Sequence, residues 1–278
     1  MKIVLNNVIE RDYSKPILLD HYHVPSQTKL PVIIFAHGYK GFKDWGAWEL
    51  MGKAFANAGF CFVKFNFSHN GGTIDDPIDF PDLDAFGKNN YSKEVQDLND
   101  VINWSISQLS DIIDINNINI LGHSRAGGIT TIVASQNSKV KKLATLAAVS
   151  DYKARFPSGE ALLKWQQDKV YYVKNGRTHQ EMPHYYQFYE DFINNEENLS
   201  IEIAAKKIAI PHLIIHGNND SAVNIEEGYQ LHQWSKKSEL VMIRDANHTL
   251  GATHPWKSIH LPKHLRQAVQ CCINFYKN

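Results

Sequence analysis

Short apolar runs alternate with amphipathic stretches along most of the chain. Pro31-Val32-Ile33-Ile34-Phe35-Ala36 is continuously apolar, the pattern of a strand buried on both faces. Residues 60–67, 118–122, 142–149, 211–216 and 240–243 read as strands in the same way. Helical stretches lie between them. Residues 48–58 end at Gly59, a C-cap residue. Residues 91–109 place Val95, Leu98, Val101, Ile102 and Ile106 on one face. Residues 125–135, 225–234 and 261–276 complete the set. Strand and helix in alternation predict the α/β class, a mostly parallel sheet with helices on both faces. Ahead of it, residues 3–9 and 17–22 flank Ser14-Lys15-Pro16 and predict an antiparallel hairpin at the sheet edge.

One segment breaks the rhythm. Residues 151–207 are rich in aromatics, among them Phe156, Trp165, Tyr171, Tyr185, Phe188 and Phe192, with helix-like stretches and no clear strand. The segment falls between two core strands, and ligands of open α/β sheets bind at the carboxyl ends of the strands. Residues 1–150 and 208–278 are therefore expected to form the core domain, and 151–207 a helical cap over a pocket.

Composition narrows the picture. With 278 residues, 43% of them hydrophobic, the chain can bury a large core. Lys+Arg and Asp+Glu are both 29, so no basic excess points to a nucleic-acid partner. Three cysteines, two of them adjacent (Cys271 and Cys272), give no disulfide framework and suit a reducing compartment. The N-terminus lacks the apolar run of a secretory signal, and no stretch approaches the length that spans a bilayer. A soluble, cytoplasmic protein is expected, with no membrane partner.

Candidate chemistry sits at the predicted strand ends. Gly122-His123-Ser124-Arg125-Ala126-Gly127-Gly128 follows a strand and opens a helix. Small residues two before and two after Ser124 allow a sharp turn that presents its hydroxyl, and the helix N-terminus places partial positive charge nearby. The fifth position of the usual Gly-x-Ser-x-Gly pattern is Ala126. His37-Gly38-Tyr39 ends another strand, where the Tyr39 amide, with that of Arg125, can form an oxyanion hole; the His37 side chain is read as loop support. Asp220 ends the run Leu213–Asp220 and is the candidate acid, with Asp151 as its competitor after the 142–149 strand. His248, in the loop after the last strand, is the candidate base, and Asp245 is read as shaping that loop. His21 with His23, and His260 with His264 at helical spacing, are the histidine pairs to consider for a metal, but no His-Glu-x-x-His pattern accompanies them and no metal site is expected. The acidic stretch from Asp75 to Asp84 lacks calcium-loop spacing and reads as a solvated loop bordering the site.

Taken together, His37-Gly38-Tyr39, the Ser124 elbow, Asp220 and His248 resemble the α/β-hydrolase superfamily over nearly the whole chain. Within it the chain resembles bacterial carboxylesterases near the cinnamoyl (feruloyl) esterases and the serine-peptidase-like hydrolases. The resemblance implies a catalytic Ser124–Asp220–His248 triad, an oxyanion hole from Tyr39 and Arg125, two-step acyl transfer on a small-molecule ester, and no cofactor. A peptidase or amidase, a thioesterase or acyltransferase, and a non-catalytic binding module of the same fold remain alternatives. Ser124 stands where a haloalkane dehalogenase would need aspartate. Neither the oligomeric state nor the physiological substrate follows from these residues.

Overall fold

The computed structural model describes residues 1–278. Eight strands form one sheet: β1 (Lys2–Ile9), β2 (Ile17–His23), β3 (Leu30–Ala36), β4 (Cys61–Phe65), β5 (Ile113–His123), β6 (Val140–Leu146), β9 (His212–Gly217) and β10 (Ser238–Ile243). Their spatial order is β1-β2-β4-β3-β5-β6-β9-β10. The β1–β2 and β2–β4 pairs are antiparallel, and all pairs from β4 to β10 are parallel. The expected edge hairpin is β1 with β2. The continuous apolar runs became central strands because both faces are covered: β3 and β4 have no exposed residue.

Helices α1 (Trp48–Asn57) and α9 (Lys263–Lys277) pack on one face. Helices α3 (Tyr91–Gln108), α4 (Arg125–Gln136) and α8 (Ile225–Trp234) cover the other. Asn90 caps α3 by accepting the Lys93 N–H at 2.9 Å, and Asn224 caps α8 through the Glu226 N–H at 3.0 Å. No helix is long and apolar enough to cross a membrane.

Between β6 and β9 the chain leaves the sheet. It forms a 3₁₀ turn (Lys153–Arg155), α5 (Glu160–Asp168), an antiparallel hairpin of β7 (Val170–Lys174) and β8 (Glu181–Tyr185), α6 (Gln187–Asn194) and α7 (Ile201–Lys207). The hairpin corrects the expectation that this segment holds no strand. Pro183 in β8 and polar residues on both strands hide the alternation that marks a sheet-core strand, and the six residues 175–180 that join them are longer than the two-residue turn a sequence signals most clearly. Helix α7 packs against α4 and α8 beside the sheet, so the part standing over the strand ends closes before Ile201.

The acidic stretch is more ordered than a solvated loop. Asp82 caps the short helix α2 (Leu83–Gly87) through the Ala85 N–H at 2.9 Å, while Phe80 and Phe86 join Phe42 and Met182 in a small apolar cluster. Beside it lies a tetrad of charges, buried except at Asp44. Asp20 on β2 accepts from Lys43 at 2.9 Å and from Lys64 on β4 at 2.6 Å, and Asp44 accepts from both lysines. Lys64 and Asp20 are fully buried. Two positive and two negative charges balance, and the tetrad fixes the 37–47 loop to the sheet. Removing one member would strand the others without compensation.

Two outcomes are expected. Asp20→Ala should lower stability by about 3–5 kcal/mol, read as a shift of the denaturant midpoint at unchanged slope. Stability should also fall on mild acidification. Burial holds His37 at about 4 and His123, His184 and His212 at about 3, against an ordinary 6.5. These side chains stay neutral when folded while the unfolded chain takes up protons, so stability is lost as pH drops from about 6.5 toward about 4. Asp97, raised by burial to about 6 despite its Arg11 partner, and Glu94, also raised by burial, oppose this but are fewer than the buried histidines. Thermal midpoints measured across that window test it; a flat profile would contradict it.

Candidate active site

The site begins with a steric demand. β5 ends at His123, α4 starts at Arg125, and Ser124 between them adopts φ 57°, ψ −122°. A side chain at such a backbone is strained, and strain of this kind persists only where its surroundings enforce it. Here they do. A Cβ on Gly122 would lie 2.3 Å from Thr130 Oγ1 and 2.4 Å from the Ala126 carbonyl oxygen. A Cβ on Gly127 would meet Ala148 Cβ at 2.3 Å. Strand and helix therefore cross at backbone distance. Ala126, where the pattern usually has glycine, is fully buried and fits. The turn is tied down by Ser124 N–H donating to Leu146 O at 2.9 Å and by Gly127 N–H donating to Ser124 O at 2.9 Å.

Three sequence-predicted residues meet at this point. His248 Nε2 lies 2.9 Å from Ser124 Oγ, and His248 Nδ1 lies 2.8 Å from Asp220 Oδ2. Asp220 Oδ1 also accepts the Ala222 and Val223 N–H groups, each at 2.9 Å. Burial pushes the Asp220 carboxyl up, but His216, His248 and the Val223 amide outweigh it and hold it well below the usual carboxylate range. Asp151 is elsewhere: it is exposed, and its carboxylate accepts the Lys153 N–H at 2.7 Å. The loops bearing acid and histidine are bolted together. Asn219 N–H donates to Ala246 O at 3.1 Å, and a Cβ on Gly217 would sit 2.2 Å from that oxygen. Asp245 shapes its loop with φ 60°, its N–H donating to Asn218 Oδ1 at 2.6 Å.

Two further histidines, invisible as site residues in the sequence, hold the assembly. His123 Nε2 donates to His248 O at 3.0 Å. His216 Nε2 donates to Val223 O at 2.9 Å and sits 3.5 Å from Asp220 Oδ2. Both stand at strand ends adjoining motif residues, which is the one signal that marks them.

The loop after β3 closes in from the other side. A Cβ on Gly38 would be 2.8 Å from Ser124 Cβ, so only glycine lets this backbone come so near. His37 Nδ1 donates to Gly38 O at 2.9 Å, and its Nε2 accepts the Phe67 N–H, which is the support role expected of it. The Tyr39 and Arg125 amides make no hydrogen bond within the chain. Tyr39 turns its hydroxyl to His184 Nε2 at 2.7 Å.

Ser124 lies between two cavities. A larger one of about 430 Å³ is walled by cap residues Tyr152, Phe156, Tyr171, Val173, His184 and Phe188. A smaller one of about 110 Å³ is lined by Lys40, Gly41, Trp45, Trp48 and Thr249. The histidine pairs stand apart from both. His260 precedes α9 while His264 lies in it, so they do not share a helix face. His21, His23 and Cys61 offer ligand atoms within 4.8 Å of one another across β2 and β4, but the two imidazoles are stacked at 13°, and one ion cannot lie in both ring planes unless a ring turns.

Residues 31–175 match the family described as the alpha/beta hydrolase fold, and the protein belongs to that family. Est1E from Butyrivibrio proteoclasticus, also solved with ferulic acid bound, is 16% identical with 99% of each chain covered and a TM-score of 0.72. DcsB in complex with its substrate analogue superposes at a TM-score of 0.73 over 99% of this chain and 98% of that one, with 14% identity. Alpha/beta hydrolase domain-containing protein 10 from mouse gives 0.70 at 16% identity, with 99% of each chain covered. A search of curated proteins returned no match.

Gly122→Ala should push the start of α4 away from the strand. Stability is expected to drop by about 1–3 kcal/mol, and fluorophosphonate labelling of Ser124 to fall at least tenfold in the protein that remains folded. Unchanged labelling would show that the close crossing does not govern the serine.

Proposed function

We propose that this protein is a serine hydrolase cleaving carboxylic esters with small or aromatic acyl groups through an acyl-enzyme. The observation that carries the reading is the continuous chain from Ser124 Oγ through the His248 imidazole to the Asp220 carboxylate. In the first step Ser124 Oγ attacks the ester carbonyl while its proton passes to His248 Nε2. Asp220 keeps Nδ1 protonated and stabilises the imidazolium. Negative charge grows on the carbonyl oxygen, where the unengaged Tyr39 and Arg125 amides are available to receive it. As the C–O bond breaks, His248 returns the proton to the leaving alcohol. Water then repeats the sequence on the acyl-enzyme, with His248 as base and Ser124 as leaving group. The aromatic lining of the larger cavity favours an apolar or aromatic half of the ester there.

Turnover of p-nitrophenyl esters and of an aryl cinnamate tests this. Ser124→Ala should lower kcat by roughly 10⁶-fold. Asp220→Asn should lower it by roughly 10⁴-fold, because the amide favours the wrong imidazole tautomer. Selective cleavage of an aminoacyl anilide would move the reading to a peptidase. A folded wild type that neither turns over any ester nor takes up a fluorophosphonate would sink it in favour of a binding module.

A further inference from the structure

Arg125 supplies more than an amide. Its side chain enters the larger cavity and stacks on aromatic rings, with Cζ 4.2 Å from the Tyr39 ring centroid, 5.6 Å from Tyr91 and 5.5 Å from Phe188. The one protein acceptor it reaches is Glu94 Oε1, at 3.3 Å from Nη1. That is longer than the roughly 2.7–2.9 Å of a good charge-assisted bond. Glu94 Oε2 is buried and unpartnered, so the pair is not the saturated bidentate fork of a structural ion pair. The guanidinium has five donors, only one of them bonded to protein, and its side chain lines the cavity with 15% of its surface exposed.

The cavity wall around it is donor-rich. It includes a second guanidinium, Arg155, and several tyrosines, and no aspartate or glutamate. Arg155 is paired with Glu227, whereas Lys40, with its Nζ 5.0 Å from the centre of the Tyr39 ring, pairs with no carboxylate. Each guanidinium thus has one carboxylate, Glu94 or Glu227, and Lys40 belongs to the smaller cavity, so what is unmet in the larger, mostly apolar space is hydrogen-bonding capacity at Arg125 rather than charge. A desolvated guanidinium with free donors is an incomplete hydrogen-bonding site, and the group that completes it is a planar anion able to accept two parallel hydrogen bonds.

We infer that the half of the ester held under the cap ends in a carboxylate that Arg125 binds, making the substrates hemiesters of dicarboxylic acids. The inference rests on the serine hydrolase reading for its reaction but not for its binding. Arg125 then has two parts to play: its backbone N–H faces the developing oxyanion, and its side chain fixes the far end of the same acyl group. Adjacent placement of nucleophile and anion-binding side chain sets the reach of the substrate to a short dicarboxylate.

The test has a kinetic and a binding arm. Hydrolysis of p-nitrophenyl hemisuccinate, hemiglutarate and hemiadipate is compared with that of neutral p-nitrophenyl esters of equal chain length. Wild type should favour at least one hemiester by roughly tenfold or more in kcat/KM. Arg125→Met should lose that ratio, and Arg125→Lys should keep part of it. Each ratio is taken within one variant, so a general loss of turnover does not enter. Separately, calorimetric titration of Ser124→Ala with monomethyl adipate and with methyl hexanoate reads binding without chemistry. The anion should bind tighter, and the added Arg125→Met change should erase the difference. If wild type hydrolyses nothing yet Ser124→Ala binds the anion through Arg125, the catalytic reading fails and this one stands. A wild type that turns over neutral esters and hemiesters alike, or a Ser124→Ala protein that binds the neutral ester equally well, overturns it.

Discussion

The whole arrangement depends on two backbones crossing within contact distance at the end of β5. Because Gly122 has no side chain, the first turn of α4 can lie against the strand, and because it lies there Ser124 is forced to φ 57°. Everything else in the site is measured from that point. The 37–39 loop reaches it only through Gly38, and the histidine loop reaches it only because Gly217 admits the Ala246 carbonyl. Three glycines at three strand ends thus do one job: they let main chain replace side chain where the site is most crowded. The strain at Ser124 is held by the sheet, since its N–H is bound to β6 and its carbonyl to both Gly127 and Val149.

Electrostatics follow the same plan of fixing backbone first. Asp220 is surrounded by donors that keep it ionised, while His123 and His37 are buried so deeply that they stay neutral and serve as rigid donors to carbonyls. The contrast matters. In a chain with 14 histidines, His37, His123 and His184 near the site are kept electrically silent at neutral pH chiefly by burial. The tetrad of Asp20, Lys43, Asp44 and Lys64 does for the 37–47 loop what hydrogen bonds do elsewhere.

Legibility in the sequence divided along physical lines. Central strands such as Leu30–Ala36 were readable because burial on both faces demands a continuous apolar run. Ser124, Asp220 and His248 were readable because each sits at a strand end, where local pattern and position in the chain agree. The β7–β8 hairpin was not, since its strands face a cavity on one side and solvent on the other and carry tyrosines, a histidine and Pro183. Nor were His123, His216 and Glu94, whose importance comes from partners 125, 4 and 31 residues away in the chain. The pairings of His123 and Glu94 leave no trace in spacing, and that of His216 depends on how the loop after β9 folds back.

The cap segment has a topological property with a broader meaning. It departs after Leu146 and returns before His212, and β6 and β9 are directly paired, with Leu146 beside Ile215. Because β6 and β9 run parallel, the chain leaves at the carboxyl end of β6 and re-enters at the start of β9, beside Leu143, so α7 carries it back along the flank of the sheet while the residues before it stand clear of the strand pairing. Mutations can accumulate there while the elbow, the acid and the histidine stay where the core holds them. The pocket wall and the Ser124 elbow are therefore built from separate parts of the chain, so the shape of the one can change without displacing the other.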